Sequence, residues 1–332
     1  MMKKILPMKY PEITSYSIQS NVLSIIANYE ETLPWYHSHF VQLCCDKQSL
    51  MIGFTDWAHN DTIFVPRQHV DNSLIKIKWE SNICEFLINS INLDFYNYFY
   101  IDEYYIPDSN AYQSYKFVHN VFVYGYDIEE EIFFIAGSLK DGKYMFTRCT
   151  FTELENAYQS VSPIEDLLGG VSMYKYKKIS VDFDLNFVVN SIIEYLYSKN
   201  SFQYDKRLHI YKDQFIYGIS VYQHLDDYLS RLLHGEDKKI DKRPFHALWD
   251  HKKCMLSRIK YMGTNNLLKN ADRLFVKYQI IERETLYHRN SILKYSLTKN
   301  KDVVEKIRHG INRLVENEMT LLNCFLESIT PL

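Results

Sequence analysis

The 332-residue chain lacks the short motifs that identify many common enzyme classes. It contains no glycine-rich phosphate loop, no dinucleotide-binding fingerprint and no zinc motif. Cysteine is scarce, with 6 residues, and none forms a Cys-x-x-Cys pair; the adjacent Cys44 and Cys45 are poorly placed for a disulfide. His246 and His251 are five residues apart, which puts them on different sides of a helix and argues against a metal pair. We therefore expect reduced thiols, no metal and no cofactor of its own.

Long apolar runs are missing as well. The first thirteen residues, MMKKILPMKYPEI, contain no apolar segment long enough for a signal peptide. No window of the chain approaches the roughly 20 apolar residues of a membrane-spanning helix. We therefore expect a cytoplasmic protein with no membrane contact, which agrees with reduced cysteines.

The charge is distributed unevenly along the chain, although the net charge is only −3. Residues 1–160 contain 11 Lys and Arg against 20 Asp and Glu, a balance of −9, whereas residues 161–332 contain 27 against 21, a balance of +6. An acidic first half and a basic second half predict two parts with different surfaces. The basic residues of the second half are scattered, whereas nucleic-acid binding needs a clustered basic surface with aromatic platforms, so we expect no nucleic-acid partner.

The apolar periodicity predicts an α+β protein with two domains. In residues 1–160, short β-branched and aromatic segments alternate with helices, and a segment with Ser, Pro and Gly, Ser160 to Gly170, marks the predicted boundary. Residues 161–332 are predicted to be mainly helical. The predicted helices span Leu185–Ser198, Tyr217–Leu233, Arg243–Met262, Asn266–Lys299 and Lys301–Ile329. Further short strands are predicted at Leu74–Trp79 and Lys175–Asp182.

The segment Phe99 to Tyr144 predicts three strands joined by short loops. Val118 to Tyr126 is rich in β-branched and aromatic residues, as is typical of a strand buried on both faces. Gly125-Tyr126-Asp127 is predicted to turn the chain, so that Ile132 to Ala136 returns as an antiparallel partner. His119 lies at the mouth of the middle strand beside a loop. A histidine held there by rigid backbone can still reach a substrate, as a general base must.

Residues of this segment follow the pattern Asp-x-Tyr-Tyr-x-Pro, a gap, then His-x-x-x-x-x-Gly-Tyr-Asp. They are Asp102, Tyr104, Tyr105, Pro107, His119, Gly125, Tyr126 and Asp127. The pattern resembles the amino-terminal domain of the butirosin biosynthesis protein H family, in detail over Phe99 to Tyr158. The resemblance implies a papain-like domain over residues 1–160, followed by a helical domain over residues 161–332. It also implies an acyltransferase of antibiotic or other natural-product biosynthesis, which moves an acyl group from a carrier protein to an amine or hydroxyl.

The papain-like triad of Cys, His and Asp that this resemblance implies is incomplete here. In that fold the nucleophilic cysteine begins the first buried helix, where the helix dipole and backbone N–H groups stabilise a thiolate and an oxyanion. Ser17, at the start of the predicted helix Ser17 to Tyr29, holds that place. It is a candidate nucleophile or oxyanion contributor, and the alternative is a plain helix cap. Cys44 or Cys45 could replace it, but two cysteines in an apolar strand are typical of a core.

The acid of the triad is missing too. The pattern places an Asp or Asn about one strand after the histidine, and that position is Gly137. Asp102 and Asn120 are therefore the candidates for orienting His119. Tyr104, Tyr105 and Gln19 are expected to contact the substrate.

Two classes of function follow from these residues. In the first, His119 is the base of an acyltransferase that works through Ser17 or by direct transfer to the acceptor. In the second, the chain is a catalytically degenerate papain-like protein that binds a carrier protein or an active homologue.

The implied partners are an acyl or peptidyl carrier protein, whose phosphopantetheine arm bears the acyl group, and a small-molecule acceptor. Carrier proteins are acidic, so a basic cluster in the charged segment Glu236 to Arg243 is the predicted docking site, with a solvated linker as the alternative. The cluster consists of Lys238, Lys239, Lys242 and Arg243. The sequence leaves a homodimer open.

Overall fold

The computed structural model describes residues 2–56, 62–201, 214–237 and 240–330. They form two compact units, the first within Met1–Thr32 and His59–Ser180, the second within Leu33–Ala58 and Val181–Leu332. Each unit is thus assembled from two separate stretches of chain, whereas the sequence predicted one boundary near residue 160. The early stretch of the second unit belongs there because its strand Leu43–Asp46 pairs with Phe215–Tyr217, far along the chain.

The described residues contain both strands and helices, numbered here along the whole chain. The strands are β1 (Lys3–Ile5), β2 (Leu43–Asp46), β3 (Ile52–Phe54), β4 (Arg67–Asp71), β5 (Tyr96–Asp102), β6 (Val118–Asp127), β7 (Ile132–Lys140), β8 (Lys143–Thr150), β9 (Gly170–Tyr174) and β10 (Phe215–Tyr217). The helices are α1 (Ser17–Ile26), α2 (Leu33–Ser38), α3 (Asn72–Trp79), α4 (Ile83–Asn92), α5 (Phe151–Gln159), α6 (Leu185–Leu196), α7 (Val221–His234), α8 (Arg243–Thr264), α9 (Ala271–Thr298) and α10 (Lys301–Glu327).

The first unit is organised around a seven-stranded antiparallel sheet in the order β4-β9-β5-β6-β7-β8, with β1 paired to the far end of β6. The middle of the sheet is buried, as expected for β-branched and aromatic strands. α4 and α5 pack on the sheet through apolar faces. α5 begins at a capping box, in which the Thr150 hydroxyl accepts from the Glu153 N–H and the Glu153 carboxylate accepts from the Thr150 N–H.

The second unit combines the small antiparallel sheet β10-β2-β3 with α2 and α6 to α10. The helices predicted for the second half of the sequence are present, with ends within a few residues of those expected. The strand-rich beginning and helical end confirm the α+β fold class. None of the described helices is both long enough and apolar enough to cross a membrane.

Three local predictions were wrong. Leu74–Trp79 is not a strand but part of α3, which begins where Asp71 Oδ1 accepts a hydrogen bond from the Ser73 N–H. The strand expected at Lys175–Asp182 comes earlier, as β9, between β4 and β5. Gly125 does not turn the chain but lies inside β6. A side chain there would meet the backbone of β1, since a Cβ would lie 2.9 Å from the Lys4 carbonyl oxygen.

Candidate active site

The candidate site lies where β5 ends and β6 begins. His119 is the second residue of β6 and pairs with Ile101 of β5. β5 runs directly into a short 3₁₀ helix, Glu103–Tyr105, and Glu103 is two residues beyond Ile101. Since residues two apart along a strand share one face of a sheet, this continuation brings Glu103 to the side chain of His119. The distance from His119 Nδ1 to Glu103 Oε1 is 3.1 Å.

Glu103 is a buried carboxylate, 1% exposed. Its second oxygen, Oε2, accepts a hydrogen bond of 2.5 Å from the Ser109 hydroxyl, and its backbone N–H donates to the Phe117 carbonyl at 2.9 Å. Both ends of the residue are therefore fixed. When Glu103 is ionised, its oxygens accept but do not donate hydrogen bonds, so this contact then requires the proton on Nδ1 of the histidine.

His119 is only partly covered, with 31% of its side chain exposed. The ring of Phe117 stacks on the imidazole at 5.5 Å between centroids and an angle of 22°. Because Nδ1 is directed to Glu103, Nε2 keeps its lone pair, and it has no hydrogen-bond partner within the described stretches. The geometry is that of an oriented imidazole whose free nitrogen can accept a proton.

Ser17 is placed elsewhere. It is the first residue of α1, follows the N-cap Tyr16, and is 8% exposed. Its hydroxyl donates a hydrogen bond of 2.6 Å to Asn120 Oδ1. Asn120 and His119 are consecutive residues in a regular part of β6, so their side chains point to opposite faces of the sheet. The structure therefore brings Ser17 to Asn120 and not to His119, and Ser17 is not the helix cap either.

The hydrogen-bond partners of Asp102 belong to the surrounding loops and not to His119. Its Oδ1 accepts from the Tyr104 N–H at 3.1 Å and the Phe117 N–H at 3.0 Å, and its Oδ2 accepts from the Ser160 hydroxyl at 2.8 Å. These bonds hold the loop on both sides of Glu103. The carboxylate that contacts His119 thus comes from Glu103, rather than from Asp102, Asn120 or the position of Gly137.

The residues expected to contact substrate are divided between two places. Tyr104 and Tyr105 follow Glu103 in the 3₁₀ helix, are half-buried, and pack edge to face with ring centroids 5.1 Å apart. Gln19 lies in α1 with Ser17 and is 5% exposed. Its Oε1 has no hydrogen-bond partner in the part of the chain that the structure describes. Only the two tyrosines are close in sequence to the His119–Glu103 pair.

The alternative nucleophiles are buried thiols. Cys44 and Cys45 lie in β2 of the second unit, whereas His119 belongs to the first. Burial raises the pKa of Cys45 to about 12, with smaller contributions from Cys44 and Asp46. Burial likewise raises the pKa of Cys84, in α4 of the first unit, to about 12. These thiols stay protonated near neutral pH and are therefore weak nucleophiles.

Of the predicted carrier-docking residues, Lys238 and Lys239 lie outside the described residues. Lys242 is exposed immediately before α8. The Arg243 guanidinium is held by Asp241 through Nε and Nη2, with Nη2 2.7 Å from Oδ2. One positive charge of the cluster is therefore paired within its own turn, and docking here stays a prediction.

The chain matches no model of a known protein family and no curated protein. The resemblance to the butirosin biosynthesis protein H family therefore stands on the Asp-x-Tyr-Tyr-x-Pro and His…Gly-Tyr-Asp residues alone. Sequence reasoning missed Glu103, although it is the unspecified residue of the first pattern. The contact becomes apparent only from the pairing of β5 with β6, because Glu103 lies two residues beyond Ile101, which faces His119 on the neighbouring strand.

Proposed function

We propose that the chain is an acyltransferase in which His119 acts as the general base for direct transfer of an acyl group from a thioester to an amine or hydroxyl. The observation that carries this proposal is the 3.1 Å contact between His119 Nδ1 and the buried carboxylate of Glu103. The resemblance described above supplies the class of reaction, and the contact supplies the base. The donor is an acyl group on the phosphopantetheine arm of a carrier protein, and the acceptor is a small molecule.

The transfer moves one proton from the acceptor, by way of His119, to the departing thiolate. Nε2 of His119 takes a proton from the acceptor as its nitrogen or oxygen attacks the thioester carbonyl carbon. The tetrahedral intermediate collapses with cleavage of the carbon–sulfur bond, and the imidazolium returns the proton to the departing thiolate. Glu103 is a positioning residue: it fixes the tautomer and compensates the charge that forms on the ring.

Direct transfer is favoured over a covalent acyl-enzyme because no activated nucleophile adjoins His119 among the described residues. The Ser17 hydroxyl gives its hydrogen to Asn120 on the other face of the sheet. The Cys84 thiol is kept protonated by burial. A serine or cysteine needs an adjacent base or a lowered pKa to attack a thioester, whereas an amine acceptor brings its own nucleophile.

The test uses acyl thioesters of N-acetylcysteamine as donors, because this thiol is the end of the phosphopantetheine arm. Primary amines and alcohols are offered as acceptors, thiol release is followed spectrophotometrically, and products are identified by mass spectrometry. We expect acceptor-dependent thiol release that His119→Ala abolishes while the variant stays folded at the assay temperature, which a thermal melt checks. If wild type and His119→Ala release thiol equally, or neither does so above the background without protein, the catalytic proposal is rejected in favour of the binding protein.

A further inference from the structure

The first unit contains a cleft of about 450 Å³ between α3, the end of α5 and the loop before β9. Small-molecule sites typically enclose roughly 300–1,000 Å³, so the cleft is large enough for a compact ligand. Two tyrosine rings, Tyr100 of β5 and Tyr158 of α5, contribute to its wall together with Asn72 and Asp166. The cleft therefore combines aromatic surface with a small number of polar groups.

The polar groups of the cleft wall are held in place by hydrogen bonds to one another and to nearby backbone N–H groups. The Tyr158 hydroxyl donates to Asn72 Oδ1 at 2.7 Å, and Asn72 Nδ2 donates to Asp166 Oδ2 at 2.6 Å. Asp166 Oδ1 accepts from the N–H groups of Leu168 and Gly169, both at 3.1 Å. A carboxylate has about four acceptor positions, and three are used, so Oδ2 keeps one position for another donor.

Asp166 also gives the cleft a negative charge that no neighbour neutralises at contact distance. It forms no ion pair within the described ranges, and the lysine that lines the cleft, Lys76, is exposed. Burial and, second, the charge of Asp166 raise the pKa of Tyr158 to about 12 and also raise that of Tyr100. Both phenols therefore stay neutral near pH 7.

We propose that this cleft binds a small molecule with a protonated primary amine and a ring-sized apolar body. The ammonium donates to the open position of Asp166 Oδ2, and the body packs against the rings of Tyr100 and Tyr158. A carboxylate provides the opposite charge, and aromatic faces attract cations within about 6 Å of the ring centre. Cation recognition by such a site is stronger where the groups are partly shielded from water.

A hydrogen bond connects the wall of the cleft to the segment that carries Glu103 of the candidate active site. Ser160, between the lining residues Gln159 and Val161, donates to Asp102 Oδ2 at 2.8 Å, and Asp102 directly precedes Glu103. Binding of an amine in the cleft stands without any reaction. Naming that amine as the acyl acceptor would rest on the proposed function.

Binding is tested with three defined probes: 2-phenylethylamine, its neutral analogue 2-phenylethanol, and phenylacetate. Ligand-observed NMR titrations on the full chain at neutral pH give the affinities. We expect the amine to bind about tenfold more tightly than the alcohol, which corresponds to about 1.4 kcal/mol, and phenylacetate not to bind. Equal affinity for amine and alcohol, or no binding of the amine at millimolar concentrations, would overturn the proposal.

Variants locate the site. Asp166→Asn keeps an Oδ1 acceptor for the Leu168 and Gly169 N–H groups. It removes the charge and replaces Oδ2, which accepts from Asn72 Nδ2, by an NH2 donor, so we expect it to lose the preference for the amine. Asp227→Asn, on an exposed position of α7, is the matched control and should bind as wild type does. If Asp166→Asn does not fold, Tyr100→Leu replaces it and should weaken the amine more than the alcohol; unchanged binding in the folded variant rejects the site. His119→Ala should bind the amine normally, so a failed acyltransferase proposal leaves this one intact.

Discussion

Glu103 Oε1 lies 3.1 Å from Nδ1 of His119, whereas the neighbour of His119, Asn120, accepts the hydroxyl of Ser17 on the opposite face of the same strand. The two arrangements divide the roles that a papain-like triad keeps together. The proposed base and its positioning acid lie on one face of the strand, and Ser17, which the resemblance would make the nucleophile, contacts the other face. The proposed acyltransferase mechanism therefore takes its nucleophile from the substrate.

The first prediction concerns Glu103. Glu103→Gln keeps the size of the side chain but removes the charge that compensates the imidazolium, and it disturbs the tautomer of His119. We expect turnover to fall by about 10²-fold or more, with a changed pH–rate profile that a purely structural residue would not cause. Thiol release as a function of pH measures this effect. Glu129→Gln, on the exposed turn after β6, is the control, and an equal fall in both variants would mean that the charge of Glu103 is irrelevant.

The second prediction concerns Ser17. Because its hydroxyl serves Asn120 and not His119, Ser17→Ala should keep full turnover and lose about 1 kcal/mol of stability with the hydrogen bond. Ser17→Cys should react slowly with iodoacetamide, since the position is 8% exposed and has no base beside it. Thermal melts, turnover and mass spectrometry of alkylated protein check these results. Loss of turnover in Ser17→Ala, or an acylated Ser17 peptide, would restore the covalent route.

The sequence predicted the features that depend on local residue patterns. It did not predict the features that depend on which strands pair with each other. His119 at the mouth of β6 and the long helices of the second half followed from residue patterns. The assignment of Leu33–Ala58 to the second unit did not, because the partner of β2 is β10, far along the chain. The partner of His119 was missed for the same reason, since Glu103 reaches it only through the register of β5 with β6.

Burial of charge is a further property that the sequence did not reveal. Lys252 of α8 and Glu318 of α10 are both fully buried in the second unit, with Nζ 2.5 Å from Oε1. Tyr278 donates to the same oxygen at 2.5 Å, and Tyr195 donates to Oε2 at 3.1 Å. Lys252 also donates to His251 Nδ1 at 2.9 Å. In the sequence alone, Lys252 and Glu318 are indistinguishable from charged residues on the exposed faces of amphipathic helices.

The third prediction follows from this network. Glu318→Gln leaves the Lys252 ammonium buried without its counter-charge, so we expect a loss of about 3–5 kcal/mol in the free energy of unfolding. Adding Lys252→Met should recover part of that loss, because it removes the uncompensated charge. Arg313→Gln, which breaks the more exposed pair with Glu284 at 2.5 Å, should cost less than about 1 kcal/mol. Chemical denaturation measures all of these variants, and equal costs for Glu318 and Arg313 would contradict the prediction.

The fourth prediction concerns the contact of α9 with α10. Gly310 of α10 lies against the buried ring of His288, and a Cβ at Gly310 would overlap the ring carbon Cε1. Gly→Ala in a helix normally stabilises by about 1 kcal/mol, but here overpacking should reverse the sign and cost about 1–3 kcal/mol. His288→Ala combined with Gly310→Ala should be more stable than His288→Ala alone, because the new methyl then fills space. A stabilised Gly310→Ala single variant would show that the ring moves aside freely.

The last prediction is a pH dependence. His37 of α2 is buried against Tyr261, with ring centroids 4.3 Å apart, and its Nδ1 has no hydrogen-bond partner among the described residues. Burial and, second, the positive charge of Arg258 lower the pKa of His37 to about 3. The unfolded chain, with a histidine pKa of about 6.5, takes up a proton that the folded chain refuses. The second unit must therefore lose stability as the pH falls below about 6.5, and the loss from His37 continues down to about 3.

His37→Phe isolates this contribution because phenylalanine keeps the ring stacked on Tyr261 and cannot be protonated. Between pH 7 and pH 5, the free energy of unfolding of wild type should fall by about 2 kcal/mol more than that of the variant. Other buried histidines, such as His251, whose pKa burial also lowers, act equally in both proteins and cancel in the comparison. His69→Phe, on an exposed position of β4, should show the wild-type dependence. Parallel curves for wild type and His37→Phe would mean that His37 is protonated in the folded protein, so that a local rearrangement must supply it with water or an acceptor.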